Sequence, residues 1–475
     1  SRNFAANLRT KLKISDGDVV CIMLHNSPEF AIVTYGILEA GGQVTTINPI
    51  YTPHEIKGQL DLSQPKVIIG STETVPVIKE AFNLMKSQIP IVCASVENAL
   101  PPGTISLKEF AFNDVDLSVL REVRVKSEDV ALLPYSSGTT GLPKGVELTH
   151  RNTVVNCVQQ DVDGYIQDSI IAILPFYHTY ALSVVMIHKL TVGARVVTVP
   201  KFKPYTFLNT LKEEKISLLY AAPPLSKYYL ICFDDESHTI HLQYIDKIMC
   251  GAAPLPKTDV ELILKKTKPG TDFLQLYGLT ETSPLATAMP PGSTDYAASG
   301  VALPNTELKV VDSNLNALGP NETGELLIRG PQVMKGYRNN PEATKNAFTT
   351  DGWFKTGDLC ALNPNGTVVI LDRLKELIKV KGYQVPPAEL EMVLKEHPSV
   401  LDACVIGVKD QRKGEIPKAF VVLKSGDNVG PGEIADFING RVADYKKIKD
   451  VVILDSLPKN PSGKLLRRVI RDKYT

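Results

Sequence analysis

Tyr135-Ser136-Ser137-Gly138-Thr139-Thr140-Gly141-Leu142-Pro143-Lys144-Gly145 is the stretch of this 475-residue chain that decides the fold. Its glycines let backbone N–H groups close on an anion, four hydroxyl side chains (Ser136, Ser137, Thr139, Thr140) add donors, and Lys144 brings a mobile positive charge. The run Val130-Ala131-Leu132-Leu133 just before it reads as a strand. The spacing is not GxxxxGK[ST], which argues against a P-loop NTPase. Taken alone, a turn rich in Ser, Thr and Gly is ordinarily only a loop, so the rest of the chain has to decide.

Working outward, short apolar runs rich in β-branched residues recur at 19–24, 66–70, 90–93 and 194–199, with helix-length segments at 29–40 and 75–86. Continuously apolar strands alternating with helices predict a parallel sheet covered on both faces. From about 300 to 372 turn signals such as Leu318-Gly319-Pro320 and Asn363-Pro364-Asn365-Gly366 separate short strands, which predicts antiparallel hairpins. Residues 373–475 hold twenty Lys or Arg against fourteen Asp or Glu, a net of +6, so the first 372 residues carry −6 and the whole chain is neutral. Two units follow, an acidic body 1–372 and a basic module 373–475. A neutral total disfavours a protein held to nucleic acid or lipid mainly by bulk charge. The seven cysteines lie at least 18 residues apart, so CxxC metal or redox spacing is absent and a reducing compartment is expected. Residues 169–188 lack Asp, Glu, Lys and Arg, long enough to span a bilayer. Pro175, His178 and the polar residues around them instead predict a buried strand, a loop and a buried helix.

The eleven-residue stretch resembles the phosphate-loop signature of the adenylate-forming enzymes, which include acyl-CoA synthetases, 4-coumarate–CoA ligases and beetle luciferases. Further pieces follow in that superfamily's order: Pro175-Phe176-Tyr177-His178, Gly251-Ala252-Ala253-Pro254, Tyr277-Gly278-Leu279-Thr280-Glu281, Thr356-Gly357-Asp358, Asp372-Arg373-Leu374-Lys375, Lys379-Val380-Lys381-Gly382-Tyr383 and Pro461-Ser462-Gly463-Lys464. The resemblance covers essentially the whole chain and is nearest to insect luciferase-like acyl-CoA ligases and 4-coumarate–CoA ligases. It implies an α/β fold: a large N-terminal domain of α/β sheets with a small antiparallel β-rich subdomain, and a small mobile α+β C-terminal domain hinged at Lys375. Because relatives extend some fifty residues further upstream, the N-terminal start is expected to be incomplete.

The implied reaction adenylates a carboxylic acid with Mg·ATP, releases pyrophosphate and passes the acyl group to coenzyme A. The resemblance assigns Glu281 to Mg²⁺, Thr280 to the α-phosphate, and Asp358 with Arg373 to the ribose, Arg373 reaching it from the opposite side of the hinge. Lys464 is implied as the lysine bridging carboxylate and phosphate. Ser136 to Gly141, Lys144, Ala253, Pro254, Tyr277, Gly278 and Ile370 complete the implied nucleotide site. His178, Gly251, Ala252, Leu276, Pro284 and Leu285 would line the acyl pocket, and Lys379 and Gly382 would serve the thioester step. Taken singly, each residue has an ordinary alternative: Glu281 as a helix-start residue, Asp358 as a turn residue, His178 as a core histidine.

Three departures from the pattern narrow the expectation. Relatives often place Gly where Leu276 stands, so a side chain intrudes on the acyl pocket. Residues 152–194 contain no Arg, whereas beetle luciferases carry one at the luciferin pocket, so a luciferase-like mono-oxygenase is the weaker alternative. The chain ends Asp472-Lys473-Tyr474-Thr475 without a Ser-Lys-Leu address, leaving a cytoplasmic or peroxisomal location open. The expected acid is apolar, fatty or aryl. The expected partners are that acid, ATP and coenzyme A, with no nucleic acid, no stable membrane insertion and a monomer or weak dimer.

Overall fold

The computed structural model describes residues 1–95, 100–136, 143–160, 169–223, 242–252, 255, 257–380, 383–410, 414–442, 444–459 and 465–474. All four residues of strand Val19–Ile22 are buried. Alternate side chains explain why. Val20 and Ile22 pack with Phe30, Val33 and Ile37 of helix Pro28–Glu39, while Cys21 packs with Ile56 and Leu60 of helix Pro53–Ser63 and with Ile78 of helix Val75–Met85. A strand covered on both faces needs no polar alternation, as the apolar runs predicted.

Strands Val130–Leu132, Gln43–Thr46, Val19–Ile22, Val67–Ser71, Ile91–Ala94 and Ile105–Ser106 are parallel neighbours in a nine-stranded sheet. The second sheet has seven strands. Arg195–Thr198, Ser169–Ala172, Leu218–Ala221, Lys247–Cys250 and Asp272–Gly278 run parallel, and Leu285–Ala288 and Val301–Ala302 are added antiparallel. Ile170 and Ala172 share one core with Val20 and Ile22, so the two sheets are packed together through it. The uncharged run resolves as strand Ser169–Ala172 followed by nine buried residues, Tyr180–His188, in wide helical turns of the π type. No helix among the described residues is long and apolar enough to cross a membrane.

The hairpins expected between 300 and 372 form a four-stranded antiparallel sheet of Glu307–Val311, Thr323–Arg329, Phe354–Leu362 and Val368–Arg373. Two features interrupt the hairpin run. Helix Pro341–Ala347, capped by Asn340, intervenes, and strand Gly336–Tyr337 leaves this sheet to pair with Lys144–Thr149 of the first. The pairing covers an edge that would otherwise expose a row of unmet backbone groups. A fourth, five-stranded sheet lies in the last hundred residues, with helices Pro387–Lys395 and Pro431–Asn439 on its own core. The last helix, Arg467–Tyr474, is tied to this unit by Arg467, whose Nη2 donates to both Glu391 oxygens at 2.8 and 2.7 Å.

Candidate active site

Strand Lys144–Thr149 passes directly into helix His150–Gln159 through a reciprocal cap. Thr149 Oγ1 accepts from Asn152 N at 3.0 Å, and Asn152 Oδ1 accepts from Thr149 N at 2.9 Å. Asn152 Nδ2 then donates to the carbonyls of Pro331 and Val333, and Asn156 Nδ2 to that of Leu285. One polar helix face thereby fixes two chain segments, 331–333 and the strand at Leu285, beside a cavity of about 790 Å³.

At one end of the cavity stand Ser136 and Lys144. Ser136 Oγ is buried with no hydrogen-bond partner among the described residues. The Lys144 ammonium lies 4.9 Å from the centroid of the Tyr337 ring. Beside them is the tight turn that follows strand Asp272–Gly278. A Cβ on Gly278 would stand 1.9 Å from the Pro284 carbonyl oxygen, so only glycine lets the chain fold back there. Leu279 N donates to that same oxygen at 3.0 Å. The turn presents Thr280 and the buried Glu281 to the cavity. Glu281 Oε1 accepts from the Tyr337 hydroxyl at 2.9 Å, and the Glu281 carbonyl accepts from Met334 N at 2.8 Å.

Thr356, Gly357, Arg373 and Lys375 line a further wall. Gly357, directly before Asp358, sits at φ 68°, a left-handed conformation favouring glycine. Asp358 is 2 % exposed. Its Oδ2 accepts from Tyr277 at 2.5 Å and its Oδ1 pairs with Arg373 Nε at 2.6 Å. Burial alone would lower the Arg373 pKa, but Asp358, Tyr277 and Glu281 outweigh it and hold the guanidinium charged. Burial, followed by Asp358, pushes the Tyr277 phenol well up. Burial also lowers the Lys375 pKa, with Arg373 adding to that effect. One expectation is corrected here. Arg373 does not reach across from beyond the hinge, because it is the direct cross-strand partner of Asp358 in one sheet.

The remaining wall is apolar: Gly251, Ala252, Leu276, Pro284 and Leu285, with His178 and Tyr180. His178 Nδ1 accepts from Tyr180 N at 3.3 Å. The Tyr180 hydroxyl donates to the Met249 carbonyl at 3.3 Å, and its ring stands edge-on to Tyr220 with centroids 6.2 Å apart.

Four sequence-predicted residues are not in the cavity wall. Tyr277 and Asp358 lie just behind it, engaged with each other. Ile370 faces the small core of the four-stranded sheet. Lys379 is exposed on strand Ile378–Val380, its backbone N–H donating to Glu415 at 2.8 Å, so the cavity and Lys379 are not brought together. Ser137, Gly138, Thr139, Thr140, Gly141, Ala253, Pro254, Gly382 and Lys464 lie outside the described residues. Tyr337 was missed, because its only sequence signal is an aromatic residue after a glycine.

Among the described residues no group of three or more His, Cys, Asp or Glu could hold a metal unaided. A single carboxylate in a cavity does fit Mg²⁺, which keeps much of its shell as water and phosphate oxygen.

The AMP-binding enzyme family matches residues 1–338, and the AMP-binding enzyme C-terminal domain matches 389–464. A 4-coumarate–CoA ligase of Humulus lupulus is 38% identical over 100% of this chain and 87% of its own. One from Oryza sativa subsp. japonica is 40% identical over 99% and 85%. Among solved structures, ATP-bound MatB from Rhodopseudomonas palustris superposes with a TM-score of 0.87 at 28% identity over 100% of this chain and 92% of its own. The apo form of the same protein scores 0.74 at 29% identity over the same shares. The o-succinylbenzoate CoA synthetase of Bacillus subtilis with its acyl-adenylate scores 0.85 at 28% identity, over 99% and 91%. The chain belongs to the AMP-binding family of adenylate-forming enzymes and is an AMP-forming acyl-CoA ligase that uses ATP, with its usual partner Mg²⁺, and coenzyme A.

Proposed function

We propose that this ligase activates a flat aromatic carboxylic acid, in preference to a long fatty acid, in the cavity between the Thr280–Glu281 turn and the His178–Tyr180 segment. One observation carries the reading. The apolar wall carries Leu276 and the Tyr180 ring, which stands edge-on to Tyr220, and among the described residues the neighbouring space beside His178 and Tyr180 is about 10 Å³, no more than one water occupies. An alkyl chain needs a tunnel, whereas a planar ring needs a slot. The 4-coumarate–CoA ligases related to this chain support the same class.

In the first half-reaction a carboxylate oxygen of the acid attacks the α-phosphorus of ATP. The bond to pyrophosphate breaks and acyl-AMP forms. Charge accumulates on phosphate oxygens, so donors and cations matter more than a base. Lys144 and the hydroxyls of its loop hold the phosphates, Thr280 donates to the α-phosphate, and Glu281 would hold Mg²⁺, which when bound would supply positive charge to the phosphates. Asp358 accepts the ribose hydroxyls once Arg373 yields one of its oxygens. Lys464 bridges carboxylate and α-phosphate. In the second half-reaction the coenzyme A thiol loses its proton, its sulfur bonds to the acyl carbon, and AMP leaves. Lys379 and Gly382 serve that step after the residues beyond Lys375 rotate relative to the body, which keeps Arg373 paired with Asp358. The greater likeness to ATP-bound than to apo MatB supports reading the present orientation as the adenylating one.

The test is pyrophosphate release with Mg·ATP across cinnamic, benzoic, medium-chain and long-chain acids. The highest kcat/KM is expected for an aryl acid. A preference for acids of twelve carbons or more overturns the reading.

A further inference from the structure

Tyr337 belongs to none of the motifs above, yet it touches two charged groups that line the cavity, Glu281 and Lys144. Its hydroxyl donates to Glu281 Oε1 at 2.9 Å, and its ring carries the Lys144 ammonium at 4.9 Å. The backbone around it is held on both sides. Met334 N donates to the Glu281 carbonyl at 2.8 Å, while Lys335 N and Arg338 N donate to the carbonyls of Glu147 and Gly145 at 2.9 and 2.8 Å. Tyr337 N donates to Thr344 Oγ1 at 2.9 Å. The Arg338 guanidinium also pairs with Glu147. Residues 334–338 are thus a short bridge, pinned at one end to the acidic turn and at the other to the strand bearing Lys144.

We propose that Tyr337 is a positioning residue for Mg·ATP, fixing Glu281 so that one carboxylate oxygen faces the cation and setting the separation between that carboxylate and Lys144. The inference rests on the assignment of Glu281 to Mg²⁺ and Lys144 to phosphate made above. A carboxylate rotates freely unless held, and Mg²⁺ tolerates little departure from octahedral geometry. A phenol donating to Oε1 occupies that oxygen with a charge-assisted bond and leaves Oε2. Residues 335–338 are hydrogen-bonded to the Lys144 strand, so the ring also limits where the ammonium stands when phosphate is absent.

The test compares Tyr337→Phe, which keeps the ring, with Tyr337→Leu, which removes ring and hydroxyl, and with Glu281→Gln as reference. Mn²⁺ serves as probe, its binding to the enzyme·ATP complex read by electron paramagnetic resonance. Calorimetry measures ATP binding with and without Mg²⁺. Tyr337→Phe is expected to weaken Mn²⁺ binding about ten-fold, the loss of one hydrogen bond to a charged group, with metal-free ATP binding and the KM for the acid unchanged. Tyr337→Leu is expected to weaken metal-free ATP binding as well. If Tyr337→Phe binds Mn²⁺ like the parent while Glu281→Gln does not, the positioning role is wrong and the Glu281 assignment stands. If Glu281→Gln also binds Mn²⁺ like the parent, the assignment itself falls, and the inference with it.

Discussion

Arg373 Nε stands 2.6 Å from Asp358 Oδ1 because the two residues are direct partners across strands Phe354–Leu362 and Val368–Arg373. The carboxylate is 2 % exposed, and Tyr277 holds its other oxygen at 2.5 Å. A charge this deep is costly unless paired, so removing one partner costs more than the pair contributes. Arg373→Met is therefore expected to destabilise the body by about 3 kcal/mol, at the lower end for a broken buried pair because the guanidinium is 31% exposed. Adding Asp358→Asn should recover most of that loss, because no uncompensated charge then remains. Urea unfolding of the two single variants and the double variant measures this. Additive losses would show that the pairing contributes nothing.

The turn after Gly278 offers a sharper test. A Cβ there would collide with the Pro284 carbonyl at 1.9 Å, and the far end of that turn carries Thr280 and Glu281. Gly278→Ala should displace both by an ångström or so, and such a shift costs about a hundredfold in rate. Single-turnover acyl-AMP formation is the measurement, with circular dichroism to establish that the two sheets persist. A rate within threefold of the parent would mean that the turn relaxes without moving its side chains.

How much of this was legible beforehand follows the range of the interactions. Val19-Val20-Cys21-Ile22 announces a strand covered on both faces because the burden of burial falls on four adjacent residues. The order of the short motifs announced the family, and the Leu276 departure pointed to a wall that the structure places beside Ala252. What stayed hidden depends on register and on distant pairing. Asp358 and Arg373 are fifteen residues apart, and only the hairpin's register makes them partners. Tyr337 reaches Glu281 across 56 positions and crosses from one sheet to another to do so. Asn152 contacts the carbonyls of Pro331 and Val333 from 179 and 181 positions away. No local pattern encodes such contacts.

Leu276 is 5% exposed and shares the apolar wall with Ala252 and Tyr180. Leu276→Gly would open that wall and leave a cavity, at a cost of about 2–5 kcal/mol in stability as for other large-to-small core changes. The acid profile should move toward wider or longer acids, with kcat/KM rising for those and falling for the parent's best substrate. Pyrophosphate release over the acid panel reads the change. An unchanged ranking would remove Leu276 from the acyl pocket.

The last prediction follows from where Lys379 lies. It is exposed on strand Ile378–Val380 and away from the cavity, while Lys375, four residues earlier, lines it. On the proposed function the Lys379 segment and Lys464 serve different half-reactions at one acyl carbon, and pyrophosphate must leave before the thiol arrives. A rotation of the residues beyond Lys375 would reconcile the two roles, since a hinge absorbs backbone change without touching the chemistry. Three variants should then separate. Lys464→Ala should lose acyl-AMP formation by about 2.7–4 kcal/mol, the range for removing one strong electrostatic stabiliser, yet still convert supplied acyl-AMP with coenzyme A. Gly382→Leu should show the reverse, because a side chain there obstructs the thiol's approach. Lys375→Pro, which restricts φ and removes a donor, should spare adenylation and slow thioester formation. Each half-reaction is measured in a single turnover, one started from ATP and the other from acyl-AMP. Equal losses in both halves for Lys464→Ala and Gly382→Leu would mean that one fixed orientation performs both steps.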